Sequence, residues 1–272
     1  MSDTKKTVLV TGGNAGLGYE VVKALYKSNT AYNLIIASRS LAKAQGAIET
    51  LIQETPDSLS TLDVVQLDIS QDDSIESCIE LVSTKYGKLD ILINNAGAAF
   101  DYEIAAGRMS LREGFNNSWD INVTGTHVLT HLAMPLLFKS DERRLLFVTS
   151  GAASLAETEM SGSAMFDRNN ASPDAGWPKT SQRNITAYKS SKTGLNMLMR
   201  EWERILRNDD FKIWCISPGF LATGLGGAGP EALKKSGALD PSVGGQFIKD
   251  VVEGRRDRDI GKVIRVDMIQ PW

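Results

Sequence analysis

Seven short runs rich in β-branched and aliphatic residues (7–10, 34–37, 63–67, 91–94, 145–149, 212–216 and 263–266) recur along the chain. Between most of them lie segments with apolar residues at helical spacing: 19–27, 41–53, 73–86, 118–138, 187–207 and 243–252. Strands separated by helix-length connections cannot be hairpin partners, so the alternation dictates right-handed crossovers and parallel pairing. The expected fold is α/β, a doubly wound parallel sheet of about seven strands with helices on both faces. A chain of 272 residues suits one such domain, spanning 1–272.

Composition narrows the classes of partner. With 42% apolar residues, 23% charged residues and a net charge of −3, the chain offers no electrostatic case for nucleic acid. No apolar run approaches a membrane span, and the polar start followed by the short run 8–10 does not make a signal-peptide core. Cys78 and Cys215 fall in helix and strand patterns, which fits a reduced, cytoplasmic setting rather than a disulfide scaffold. The sequons at Asn116, Asn122, Asn170 and Asn184 are then expected to stay unmodified.

The first strand runs straight into Thr11-Gly12-Gly13-Asn14-Ala15-Gly16-Leu17-Gly18 and then into the first helix. Glycines permit positive φ and close backbone approach, while the free amides at a helix start favour an anion, so Gly12, Asn14, Gly16, Leu17 and Gly18 read as a pyrophosphate grip in a Rossmann sheet. This spacing resembles the short-chain dehydrogenase/reductase family in its shorter, single-domain branch. The resemblance covers nearly the whole chain, because further motifs follow in order, each at the end of a strand.

At the end of the second strand, beside an adenosine ribose, an acidic residue would bind the 2′-hydroxyl and an arginine would accept a 2′-phosphate. Here the residues are Ser38-Arg39-Ser40, with no carboxylate, so NADP(H) is expected over NAD(H), the two serines adding hydroxyl donors. The resemblance implies that Asp68 caps the adenine amine with help from the Ile69 amide; Asp68 is also placed to serve simply as an acid before the following helix. It likewise implies that Asn94-Asn95-Ala96-Gly97 lies beside the adenosine ribose, with Asn94 bracing the sheet and Ala96 and Gly97 at the cofactor. Pro218-Gly219 and Thr223 match the segment that packs on the nicotinamide.

Tyr188 and Lys192 stand four apart, on one helix face. A phenol titrates near about 10, and a neighbouring ammonium, with an oxidised nicotinamide, would draw that value down. The resemblance makes Tyr188 the proton donor and acceptor, and gives Lys192 the ribose hydroxyls as well, both residues lying against the cofactor. It makes Ser150, at the end of the fifth strand, the group that binds the substrate oxygen. Asn122 resembles the family's fourth catalytic residue, which holds a water against the lysine; as a mid-helix Asn it could instead bond backbone.

The resulting expectation is an NADP(H)-dependent oxidoreductase that interconverts a carbonyl and an alcohol. The other readings are a catalytically silent dinucleotide sensor and an epimerase or dehydratase of the family's extended branch, whose glycine spacing and larger substrate domain differ. Segment 151–184 separates Ser150 from Tyr188 more widely than the minimal pattern does, and resembles the insertion of carbonyl-reductase-like members. With Met160, Met165, Phe166 and Trp177 it could offer an apolar face to a bulky hydrophobic ketone or aldehyde, or be a packed surface loop. Segment 219–245 is the second candidate substrate loop. An insertion of this kind would also obstruct the family's usual four-helix contact, leaving a monomer or homodimer.

His127 and His131 share a helix face but lack a third ligand, so no metal is expected and helix packing or solvation is. Trp119, Trp202 and Trp214 read as core or interface, Cys215 as a buried strand thiol, and the alternating charges of 255–259 as a solvated turn.

Overall fold

The computed structural model describes residues 5–179, 185–227 and 229–272, without the side chains of Ala164, Met165 and Arg168. The strands are β1 (Lys6–Thr11), β2 (Tyr32–Ser38), β3 (Thr61–Gln66), β4 (Ile91–Asn94), β5 (Arg144–Val148), β6 (Lys212–Ile216), β7 (Val263–Ile264) and β8 (Ile269–Gln270). They form one sheet in the order β3-β2-β1-β4-β5-β6-β7-β8, parallel except for the final antiparallel pair. The order reverses direction between β1 and β4, which opens a crevice at their carboxyl ends.

Both faces of the sheet are buried, and the two-residue period of a strand sorts its side chains between them. Leu9, Ile35, Leu92, Leu145, Phe147 and Ile213 face one core, while Val8, Val10, Leu34, Ile36, Ile91, Leu146 and Trp214 face the other. The helices in chain order are α1 (Gly16–Tyr26), α2 (Leu41–Glu54), α3 (Asp72–Tyr86), α4 (Asp101–Ala105), α5 (Leu111–Trp119), α6 (Gly125–Leu137), α7 (Ala164–Asn170), α8 (Thr186–Ile205), α9 (Pro230–Lys235) and α10 (Pro241–Val252). The first core takes apolar residues from α3, α6 and α8, the second from α1, α2 and α10.

Three local readings differ from the sequence expectation. An eighth strand closes the sheet and β7 has only two residues, because pairs this short carry no periodic signal and depend on their neighbours. The segment expected as one helix over 118–138 is broken by a π-helical turn at Asp120–Thr124. Of the tryptophans expected as core or interface, Trp202 and Trp214 are core residues and Trp119 is 45% exposed, which leaves that reading standing. The 255–259 run is not a solvated turn throughout: Arg256 and Asp259 pair at 2.5 Å with side chains only 12% and 10% exposed.

Asp257 has the larger structural part. Arg144 and Lys212 start β5 and β6 and lie directly opposite each other in the parallel register. Two cations so placed repel, and Arg144 is buried, so an anion is needed between them. Asp257 accepts from both terminal nitrogens of Arg144, at 2.6 and 3.0 Å, and from Lys212 Nζ at 2.8 Å. Burial pushes its carboxyl up, but Arg144 and Lys212 outweigh that and hold it below the usual range.

A depressed native pKa gives stability that is present above the unfolded carboxyl's pKa and lost as pH falls through the native one. Asp257→Asn should therefore cost about 3 kcal/mol in urea unfolding at pH 7. The gap between wild type and variant should narrow as pH falls below about 4; a gap that stays constant with pH would contradict this role.

Candidate functional site

Every candidate site residue sits at, or projects over, the carboxyl edge of the sheet. Gly12 and Gly16 adopt φ of 65° and 54° in the turn after β1, and the Ala15 side chain has no oxygen with which to cap α1. The first amides of α1 therefore remain available to an anion. Within this turn the chain packs tightly at Gly18: a Cβ there would stand 2.3 Å from the Gly12 carbonyl oxygen and 2.5 Å from Asn95 Nδ2. Leu17 packs at the edge of the α1/α10 core.

Two residues that the sequence reading left without a role hold this turn. Thr11 Oγ1 accepts from the amides of Asn95 (2.9 Å) and Ala96 (2.8 Å), and Asn95 Nδ2 donates to the Thr11 carbonyl at 2.8 Å. These bonds lock the ends of β1 and β4 across the crevice. Both residues lie inside the quoted motifs, but their pairing joins positions 84 apart and cannot be read along the chain.

The β2 end is partly as expected. Arg39 is exposed, and no carboxylate replaces it. Ser38, however, is 4% exposed, and its hydroxyl donates to Asn14 Oδ1 at 2.9 Å. Ser40 accepts from the Lys43 amide and caps α2. Both hydroxyls are thus engaged within the protein, Ser38 bracing the phosphate turn. Asp68 accepts from the Ser70 amide (3.1 Å) and hydroxyl (2.8 Å) just ahead of α3, whose N-cap is Gln71, and the next residue, Ile69, is buried. Asn94 is buried and donates to Thr130 Oγ1 at 3.1 Å, fastening β4 to α6 rather than lining the crevice.

The chemical centre forms where β5 ends against α8. Lys192 is buried and Nζ donates to the Val148 carbonyl at 2.8 Å, while the Ser150 hydroxyl faces the Tyr188 phenol and acts to lower its pKa. Burial pushes Tyr188 above its usual pKa, with Ser150 opposing it, and burial draws Lys192 down to about 8. In the protein alone, desolvation thus outweighs the lowering of the phenol expected from the nearby ammonium.

Asn122 rides on the π-helical turn and is fully buried. Its side chain leaves its own helix: Oδ1 accepts from the Ala98 amide (2.9 Å), and Nδ2 donates to the Ala98 carbonyl (2.8 Å) and to Ser191 Oγ (2.9 Å). A π-turn re-aims one side chain without ending a helix, so Asn122 does bond backbone, but that of Ala98 on another segment rather than of its own helix. Asn122 therefore ties the segment following β4 to the helix bearing Tyr188 and Lys192.

That helix has an unusual start. Its N-cap is Ile185, which has no side-chain acceptor, and Asp101 of α4 supplies one instead, Oδ1 accepting from Ala187 N (2.9 Å) and Oδ2 from Tyr188 N (3.1 Å). The only sequence signal is an acid just after the Asn94–Gly97 motif; its target lies 86 residues on.

The segment after β6 folds back across the crevice. Pro218 is buried and Gly219 takes φ of 104°. Thr223 stands over Gly16, within 3.5 Å of where a Cβ would sit, and Gly227 lies against Tyr102 of α4. The 151–179 part of the insertion contains two 3-10 turns and α7. Of the residues expected to form its apolar face, Trp177 is 87% exposed and Met160 is 39% exposed. Phe166 is half-buried. The Met165 side chain and residues 180–184, including Asn184, lie outside the described residues. Away from the site, His127 packs on Trp202 with ring centres 5.4 Å apart, and Cys78 and Cys215 are free, buried thiols. No helix among the described residues is long and apolar enough to cross a membrane.

Gly97 is where these elements converge. A Cβ there would be 2.9 Å from Asn122 Oδ1 and 3.2 Å from Lys192 Nζ, and the first is held by its bonds to Ala98. Gly97→Ala should fold normally but displace both groups. A loss of at least tenfold in turnover, roughly what an ångström-scale misplacement costs, is expected in steady-state kinetics with an unchanged melting curve. Full activity would show that the convergence is incidental.

Known proteins bear on this arrangement. The family model described as short chain dehydrogenase matches residues 6–162. The short-chain dehydrogenase/reductase tropE of Talaromyces stipitatus is 41% identical over 269 residues, covering 98% of each chain. The short-chain dehydrogenase/reductase eupG of a Phoma species is 42% identical over 277 residues, again covering 98% of each. Among solved structures, the NADPH-bound carbonyl reductase from chicken fatty liver superposes with a TM-score of 0.77 at 21% identity, covering 98% of this chain and 99% of that one, a likeness of fold. Since the family model covers more than half of the chain and the relatives match it end to end, the protein belongs to the short-chain dehydrogenase/reductase family and is an oxidoreductase.

Proposed function

We propose that the protein is an NADP(H)-dependent carbonyl reductase whose proton donor is Tyr188. The observation that carries this reading is the juxtaposition of Ser150 and Tyr188, with buried Lys192 one turn along the same helix, beside a turn built for phosphate. The residues present fit a dinucleotide. The uncapped start of α1 and the positive-φ turn at Gly12 and Gly16 suit its pyrophosphate, and Arg39, without a competing carboxylate, suits a 2′-phosphate. Gly12, Asn14, Gly16, Leu17, Asp68, Ile69, Ala96, Gly97, Pro218, Gly219 and Thr223 complete the surface that would hold it. Ser38 and Asn94 would act behind that surface, one through Asn14 and the other through the β4–α6 junction.

When bound, the cofactor supplies the hydride. The chain supplies the rest: Ser150 donates a hydrogen bond to the carbonyl oxygen, and Tyr188 transfers its phenolic proton there as charge develops, giving the alcohol. Burial keeps that phenol protonated, as a donor must be. Lys192, with a pKa of about 8, is mostly cationic at neutral pH and can steady the phenolate left behind, as well as bind ribose hydroxyls. Asn122 and Asp101 keep the helix of Tyr188 in register with β4.

A bulky hydrophobic ketone or aldehyde is the substrate class we favour. Leu155 and Met160 after β5, and Phe220, Leu225 and Leu239 after β6, are exposed apolar side chains on the two segments that leave the sheet beside Ser150.

With a panel of such carbonyls, NADPH consumption should be measurable by absorbance, and Tyr188→Phe should lower kcat at least about 100-fold while NADPH affinity changes little. Undiminished turnover in that variant, or no turnover of any carbonyl by the wild type, would refute the reading. Arg39→Ala should weaken NADPH binding about tenfold or more and leave NADH binding nearly unchanged, a contrast that titration calorimetry can read; equal losses for both would remove Arg39 from cofactor choice.

A further inference from the structure

Ser150 is held from a direction that the proposed mechanism does not use. The β7–β8 hairpin turns through residues 265–268, with the Arg265 amide donating to the Met268 carbonyl at 2.8 Å. From this hairpin Gln270, 1% exposed, donates through Nε2 to the backbone carbonyl of Ser150 at 3.2 Å. Its Oε1 accepts from Arg265 Nε at 3.0 Å. Arg265 then extends Nη2 to Glu157 at 2.5 Å and toward the Gly151 carbonyl at 3.5 Å. The Arg265 and Glu157 side chains are 15% and 8% exposed, so this is a largely desolvated chain of charge-assisted bonds. The Trp272 carbonyl completes it, accepting from the Ala156 amide at 2.7 Å and lying 3.3 Å from Ser154 Oγ.

The peptide that carries Ser150 is thus gripped at both its own carbonyl and the next. Rotating that peptide would swing the Ser150 hydroxyl, which also accepts from the Ala152 amide, away from Tyr188. The same arginine fixes Glu157, in the first turns of the insertion, so one side chain registers both the serine and the start of the 151–179 segment.

We propose that Gln270, oriented by Arg265 and Glu157, is a positioning residue that sets the Ser150 hydroxyl against Tyr188, and that through Arg265 it couples this setting to the insertion. The proposal rests on the assignment of Ser150 and Tyr188 made above. Gln270→Glu keeps the shape of the side chain and an acceptor for Arg265, but replaces the donor facing the Ser150 carbonyl with a carboxylate.

A double-mutant cycle with Ser150→Ala separates positioning from general support. In the native background Gln270→Glu should lower kcat about tenfold, with the KM for NADPH nearly unchanged. In the Ser150→Ala background the same Gln270 change should alter the residual rate less than twofold. Equal losses in both backgrounds would overturn the proposal. A second readout needs no substrate: with 13C-labelled tyrosine, the Tyr188 resonance, assigned by Tyr188→Phe, should titrate at higher pH in both Gln270→Glu and Ser150→Ala, because the phenolate loses the same hydroxyl donor. An unmoved titration in Gln270→Glu, alongside a moved one in Ser150→Ala, would also overturn it. Failure of the carbonyl panel would count against the proposed reaction and leave this spectroscopic comparison to decide the positioning role.

Discussion

Burial of a parallel sheet on both faces constrains everything else in this molecule. Its strands must be apolar on alternate sides, as Leu9 and Val10 or Leu145 and Leu146 are, so polar chemistry is driven to the strand ends. At the amino edge the result is an electrostatic junction, Asp257 between Arg144 and Lys212. At the carboxyl edge it is a crevice, because the order of strands reverses between β1 and β4.

Around that crevice the side chains that matter are fixed by partners far away in sequence. Thr11 and Asn95 close β1 on β4, Asp101 caps the helix of Tyr188, and Asn122 joins that helix to the segment after β4. Each of these groups is at least partly withdrawn from water, where an unpaired amide or carboxylate would be costly, so the bonds hold position as well as adding stability. The same logic extends to Gln270 and Ser150 on the other side of the centre. The proposed donor therefore sits among elements that can shift only together.

Burial also sets the proton chemistry. Lys192 is drawn down to about 8 and the Tyr188 phenol is pushed up, both by loss of water. These directions suit a protein that gives a proton to a developing alkoxide, and they follow from where α8 packs rather than from the spacing of the two residues.

The strand and helix alternation, the glycine turn and the order of motifs after it were legible in the sequence, because each depends on local backbone chemistry or on periodicity over a few residues. From these came the doubly wound sheet, the family and the places of Ser150, Tyr188, Lys192 and Arg39. Only the tertiary structure decided what their neighbours do. Ser38 and Asn94 turn inward to brace Asn14 and Thr130, Asn122 is re-aimed by a π-turn, Asp257 leaves an apparently solvated run to neutralise two strand ends, and β8 brings Gln270 to Ser150. Asp101, Asn95 and Gln270 stay hidden in the sequence because a hydrogen bond between residues 80 to 120 positions apart leaves no trace in local pattern. It exists only once the sheet has set both ends within 3.2 Å of each other.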